Sequence, residues 1–206
     1  MTKKLGQVDI FINNAGAYFR DQSDKAEAFR VQFQTNYANT RALNEKILEH
    51  DLVKANGKII FVSSGLGRFG RVAEINPEVY KKLEAYKTLT FDDLATLQAQ
   101  CVDAHEKGVD RAKWAKTIYN STKLLLNIFV NILSRDEARI ISKGIQVYIM
   151  HPGWCRTDMT KSYGDAPPKS AIEGGQTAIY LSDLPFEINE ALQGEYFADS
   201  KHGSLI

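Results

Sequence analysis

The chain has 206 residues, 44% hydrophobic and 25% charged, with a formal net charge of +1. This length and balance suit one soluble domain with a real core, and the scattered basic residues leave no footprint for nucleic acid or an anionic membrane surface. No run is long and apolar enough to span a bilayer, no apolar signal follows Lys3 and Lys4, and neither Cys101 and Cys155 nor the four histidines show metal-ligand spacing, so no metal is expected and a reduced, cytoplasmic setting fits best.

Residues 8–12 (Val-Asp-Ile-Phe-Ile) form a β-rich run that is apolar on both faces, the habit of a strand inside a parallel sheet. It ends in the turn residues Asn13, Asn14, Ala15 and Gly16. Helical spacing follows over 23–50, with a break near 36–39 and an apolar stripe at Leu43, Ile47 and Leu48. Asn56-Gly57 closes that helix and starts a turn. The second strand, 58–62, delivers Ser63, Ser64 and Gly65 to its carboxyl end, where open α/β sheets bind ligands.

Residues 66–118 read as an insertion holding two helices. Pro77 suits the first turn of one, and Thr90 with Asp93 has capping-box spacing for the other. The second carries a stripe of Phe91, Leu94, Leu97, Cys101 and Val102 that Gly108 stops. Cys101 on that stripe is a small core hydrophobe. A strong helix spans 119–138, a third strand 144–150, and the latter leads into the Pro152-Gly153-Trp154 turn. Residues 163–169, with Gly164, Pro167 and Pro168, form a mobile loop. Ser170 and Glu173 make a capping box for a helix to Leu184, and 194–197 is a short last strand. The order βαβ(αα)αβαβ argues an α/β fold on a parallel sheet.

Tyr119 and Lys123 stand one helical turn apart on one face. An ammonium held beside a phenol favours the phenolate, and a Tyr with a lowered pKa can serve as a general acid or base near neutral pH.

Four segments in this order, namely Asn13-Asn14-Ala15-Gly16, Ser63-Ser64, Tyr119 with Lys123, and Pro152-Gly153-Trp154, resemble the short-chain dehydrogenase/reductase family. The insertion before Tyr119 and the loop from Trp154 to Met159 resemble its carbonyl reductase branch. The resemblance covers residue 8 to about residue 197. It implies the C-terminal two-thirds of a Rossmann-type doubly wound parallel sheet, as a single partial domain over 1–206, with a two-helix insertion before the catalytic Tyr. It implies NADPH-dependent reduction of a ketone or aldehyde to an alcohol. In those terms Tyr119 protonates the carbonyl oxygen, Ser64 holds that oxygen, Lys123 lowers the Tyr pKa and binds the nicotinamide ribose, and Asn36 anchors a proton-relay water. Asn14, Ala15, Gly16, Pro152, Gly153, Cys155, Arg156 and Thr157 line the NADP(H) site, with Tyr119 and Lys123. Phe19, Trp154 and Tyr163 shape the pocket for a small-molecule carbonyl substrate. Plainer readings stand beside these: a turn cap for Ser63 and Ser64, a helix break at Asn36, packing for Trp154, and a spacer for His151.

The family's Gly-rich turn, which binds the cofactor pyrophosphate at a helix N-terminus, has no counterpart in these residues. The expectation is a chain lacking the first third of the fold and, with it, much of the cofactor-binding energy, so that it is weak or inactive. The resemblance implies a monomer at full length, because the inserted helices cover the face that other members use for dimers. Residues 8–12 would then form an apolar edge open to strand pairing. The alternative is a non-catalytic interaction protein that pairs through that edge. An NAD-dependent alcohol or steroid dehydrogenase is a weaker third reading.

Overall fold

In the computed structural model the described residues are 6–19, 25–73, 75–106, 114 and 117–206. Among them, five strands form one sheet in chain order: β1 (Val8–Asn13), β2 (Val53–Val62), β3 (Gln146–His151), β4 (Tyr196–Ala198) and β5 (Lys201–Gly203). β1 to β4 pair in parallel, and β5 returns antiparallel to β4. The helices are α1 (Lys25–Phe33), α2 (Asn39–Glu49), α3 (Pro77–Glu84), α4 (Phe91–Glu106), α5 (Ile118–Leu133) and α6 (Ala171–Asp183).

The sheet is covered on both faces, and the two-residue period of a strand sorts the side chains between them. Ile59, Phe61, Val147 and Ile149 join the larger cluster with α1, α2, α4 and α5. Ile60, Tyr148 and Met150 meet Leu181 of α6 on the other side. Each apolar side chain so buried contributes about 1.5–3 kcal/mol, and α5 adds the most. Every residue of α5 is buried except Tyr119. The helix is packed all round, and buried polar residues such as Lys123 and Asn127 find hydrogen-bond partners there. Lys58, fully buried on β2, points the other way and donates to the Leu181, Ser182 and Leu184 carbonyls at the end of α6. A cation there satisfies carbonyls that have no partner within the helix.

Several boundaries differ from the sequence reading. The break near 36–39 is a π turn, Gln34–Ala38, that joins α1 to α2 without interrupting the helical path. Asn56-Gly57 does not end a helix: it lies inside β2, where Asn56 has φ +60° and the register jumps from Val8 opposite Val53 to Ile10 opposite Lys58. The strand carries a bulge there. α5 stops at Leu133 rather than 138, and β3 begins at Gln146, two residues past Gly144. Leu43, expected on a buried stripe, is 50% exposed. β5 was not expected at all. Its hairpin turn, Asp199-Ser200, has φ +53° and +56° at both residues, a conformation that sequence reading expects from Asn-Gly or Gly-Gly. Ser23 and Gly108, which figured in the helix boundaries, lie outside the described residues.

Other expectations hold. Pro77 opens α3 behind an Asn76 cap, and the Thr90–Asp93 and Ser170–Glu173 capping boxes both form. Leu94, Leu97 and Cys101 are fully buried on α4. β1 lies at the sheet edge, with Val8 and Ile12 about 40% exposed.

Candidate active site

Parallel pairing aligns the carboxyl ends of β1, β2 and β3, so the loops after Asn13, Val62 and His151 open on the same side of the sheet. α5 begins beside them. Thr117 caps it, its hydroxyl accepting from the Asn120 N–H at 3.2 Å. That fixes Tyr119 in the first turn and Lys123 one turn further.

Each loop is fastened from below. Asn36, wholly buried in the π turn, clamps Ala17: its Oδ1 accepts from the Ala17 N–H at 2.7 Å and its Nδ2 donates to the Ala17 carbonyl at 2.9 Å and to Thr122 Oγ1 at 3.1 Å. Asn13 and Asn44 exchange amide hydrogen bonds at the end of β1. Asn127 holds the Ser63 turn to α5, accepting from Ser63 Oγ at 2.5 Å and donating to the Gly67 carbonyl at 2.9 Å. Gly67 lies so near α5 that a Cβ there would be 2.7 Å from the Lys123 carbonyl carbon. After β3, Thr157 and Thr160 form a capping box, and the Arg156 guanidinium donates to the Pro167 and Pro168 carbonyls.

Ser64 lies near enough to the Tyr119 phenol to pull its pKa down. Lys123 Nζ is 5.8 Å from the Tyr119 ring centroid and donates to the Val62 carbonyl at 2.9 Å. Gly16 completes the group: a Cβ on it would lie 3.5 Å from Asn36 Oδ1, 3.8 Å from Lys123 Nζ and 3.7 Å from Met159 Cε. Asn14 and Ala15 line a cleft of about 310 Å³ with Phe11, Ile12, Thr35 and Leu43.

The electrostatics correct one expectation. The Tyr119 pKa is raised, not lowered. Burial of the phenol outweighs the pull of Ser64, because a phenolate loses more hydration than one nearby hydroxyl returns. Lys123 is affected by the same dryness: burial pushes its ammonium down to about 8.

Other expected residues fall at the margins. Trp154 is 45% and Phe19 40% exposed, and Tyr163 is half-buried. Cys155 turns inward, its Sγ on the Pro152 carbonyl, where Gly174 of α6 leaves room for it. Gly153 has φ +89°, which its lack of a side chain permits. His151 is half-buried with no partner for Nδ1 among the described residues, and burial pushes its pKa down to about 4. Sequence reading did not single out Asn127, Gly67, Met159 or Tyr18. Asn127 had a signal, since it lies one turn beyond Lys123 on the same face of α5.

The family model for short chain dehydrogenase matches residues 1–76. Carbonyl reductase [NADPH] 1 of Sus scrofa is 32% identical to this chain, covering 98% of the chain and 68% of the relative. The Homo sapiens protein of the same name is 31% identical over 98% and 71%. Among solved structures, salutaridine reductase from Papaver somniferum superposes with a TM-score of 0.73 at 17% identity, over 93% of this chain and 72% of that one. Carbonyl reductase Sniffer of D. melanogaster gives 0.61 at 20%, over 98% and 67%. With the identity of the carbonyl reductases spread across nearly the whole chain, the chain belongs to the short-chain dehydrogenase/reductase family, on its carbonyl reductase side.

Proposed function

We propose that this chain reduces the carbonyl group of a small organic molecule to an alcohol, with NADP(H) as cofactor and Tyr119 as proton donor. The observation that carries this reading is that Tyr119, alone on α5, is only half-buried as a residue, and that its phenol lies beside Ser64 at the mouth formed by three strand ends.

The nicotinamide, when bound, supplies the hydride. Gly16 presents bare backbone beside Asn36, Met159 and Lys123, where a bound nicotinamide ribose would meet it. Lys123 would hold the ribose, with the backbone of Asn14, Ala15, Pro152 and Gly153 and the loop of Cys155, Arg156 and Thr157 beside it. The phosphate-bearing form of the cofactor is taken from the named relatives, carbonyl reductase [NADPH] 1. Ser64 donates to the carbonyl oxygen and fixes its position. Tyr119, kept protonated by burial, gives its proton to that oxygen as it becomes an alkoxide. The Lys123 ammonium then stabilises the phenolate left behind. Asn36 has its side-chain amide fully engaged on Ala17 and Thr122, so a relay water would rest on its backbone.

The test is NADPH consumption with an aromatic aldehyde. Tyr119→Phe keeps the ring and removes the proton, and is expected to lower kcat by ~10²–10⁴-fold, the usual range for a general acid. A Tyr119→Phe chain as active as the wild type would defeat the proposal.

One observation favours a second reading. The outer edge of β1 exposes Val8 and Ile12 beside the 310 Å³ cleft, and an open edge can recruit a strand from another chain. Under that reading the chain self-associates and NADPH titration gives no fluorescence enhancement. Under the first reading it binds NADPH, as a cytoplasmic monomer.

A further inference from the structure

Four aromatic residues form a connected line across the mouth of the site. The ring of Tyr18 stands edge-on to that of Tyr119, with centroids 5.3 Å apart and planes at 82°. The Tyr18 hydroxyl lies 2.7 Å from the Tyr163 hydroxyl. The Tyr163 ring is edge-on to Trp154 at 5.7 Å and 79°. Such edge contacts use the positive rim of one ring on the negative face of the other.

The line joins two loops that leave different strands. Tyr18 belongs to the loop after β1, and its neighbour Ala17 is clamped on both backbone groups by Asn36. Tyr18 therefore projects from a fixed point. Tyr163 closes the turn Asp158–Tyr163 after β3, and Gly164 follows with φ +58°. The hydroxyl bridge ties this second loop to the first. Around it, the site loops carry exposed apolar side chains: Phe19, Leu66, Trp154 and Met159 are each about 40% exposed.

Resting on the reductase reading above, we infer that Tyr18 is a positioning residue that sets which carbonyl compounds reach Tyr119. Its ring holds the phenol from the side. Its hydroxyl, through Tyr163, fixes the gap between the β1 and β3 loops, with Trp154 as the far wall. A compact ketone passes this gap as built. A bulky diaryl ketone enters when the bridge opens, so the bridge acts against it.

The experiment compares kcat/KM for 2-butanone and benzophenone, with NADPH, in the full chain and in Tyr18→Phe, Tyr163→Phe and the double variant. Each single variant keeps its ring and loses the bridge. The ratio of benzophenone to 2-butanone is expected to rise about fivefold in either, the worth of one hydrogen bond of about 1 kcal/mol, and to do so through KM for benzophenone rather than kcat. Because both substitutions break one shared bond, the double variant should rise no further than either single one. An unmoved ratio in Tyr18→Phe, or additive effects in the double variant, overturns the inference. A uniform fall in kcat for both ketones marks a merely structural role and also overturns it. Amide hydrogen exchange over 157–164 is read in parallel and is expected to quicken in both single variants. If the wild type reduces neither these ketones nor an aromatic aldehyde, the reductase reading falls and the specificity role falls with it, whereas turnover of the aldehyde alone overturns the specificity role and leaves the reductase reading standing. The exchange still decides the bridge: faster exchange upholds it as the tie between the loops, and unchanged exchange removes it.

Discussion

Lys123 reaches from α5 to the last residue of β2, its Nζ donating to the Val62 carbonyl at 2.9 Å. One hydrogen bond is little for an ammonium left 3% exposed, and burial pushes its pKa from 10.5 to about 8. A base depressed in the folded state holds fewer protons folded than unfolded between those two values. Stability from this group therefore rises with pH across the window from about 8 to 10.5. Lys123→Met should be more stable than the wild type without cofactor at pH 7, by about 2 kcal/mol once the lost hydrogen bond is set against the relieved desolvation. The advantage should fade toward pH 10. Urea melts at the two pH values measure it, and an equal difference at both would refute the account.

Activity should move the opposite way. In the proposed reaction the Tyr119 phenolate forms in a dry site, where it needs a charged Lys123 beside it. As pH climbs through about 8 that charge is lost, and carbonyl reduction at saturating NADPH should fall about tenfold per pH unit above it. A kcat profile flat from pH 7 to 9.5 would show that the ammonium is not required.

Gly67→Ala places a Cβ 2.7 Å from the Lys123 carbonyl carbon. Backbone on both sides prevents an easy escape, so the Ser64 turn must back away from α5, against the Asn127 tether. A shift of about 1 Å between Ser64 and Tyr119 should cost ~10²-fold in kcat. NADPH affinity, which in the proposed site rests on the loops after β1 and β3 as well as on Lys123, should change less than kcat. Fluorescence titration beside steady-state rates separates the two, and an equal loss in both would point to general unfolding.

Ser200→Gly should stabilise the fold. Asp199 and Ser200 both occupy left-handed backbone, and Ser200 makes its anchoring contact through its N–H, to Thr177 Oγ1 at 3.0 Å, which Gly retains. Removing the Cβ relieves about 1 kcal/mol of strain. Part of this is lost to the greater freedom of Gly in the unfolded chain. The net gain of roughly 0.5 kcal/mol should raise Tm by ~1–2 °C in a chain of this size. A lowered Tm would mean that the turn depends on the Ser side chain.

Local signals were readable wherever one residue type answers one local need. Pro77, the two capping boxes and the β-branched runs behaved as written, because caps and strand periods depend on neighbours a few positions away. The bulge at Asn56 escaped because its backbone is set by pairing with the distant β1, and the hairpin at Asp199 because its left-handed turn is built from Asp and Ser rather than Gly. At the site, Asn36, Ser64, Tyr119 and Lys123 were legible as motif residues. Tyr18 and Gly67 were not, because each matters through a contact with a residue far along the chain.

By itself the sequence determined the order of the elements through β4, the insertion between Ser64 and Tyr119, and the identity of the chemical groups. The tertiary structure alone decided their electrostatic state. The expectation of an acidified phenol came from counting Tyr119 and Lys123 as neighbours one turn apart. The packed surroundings of α5 remove water from both groups, so the phenol is raised and the ammonium lowered. Proximity along a helix is written in residue spacing, but hydration depends on everything that closes around it.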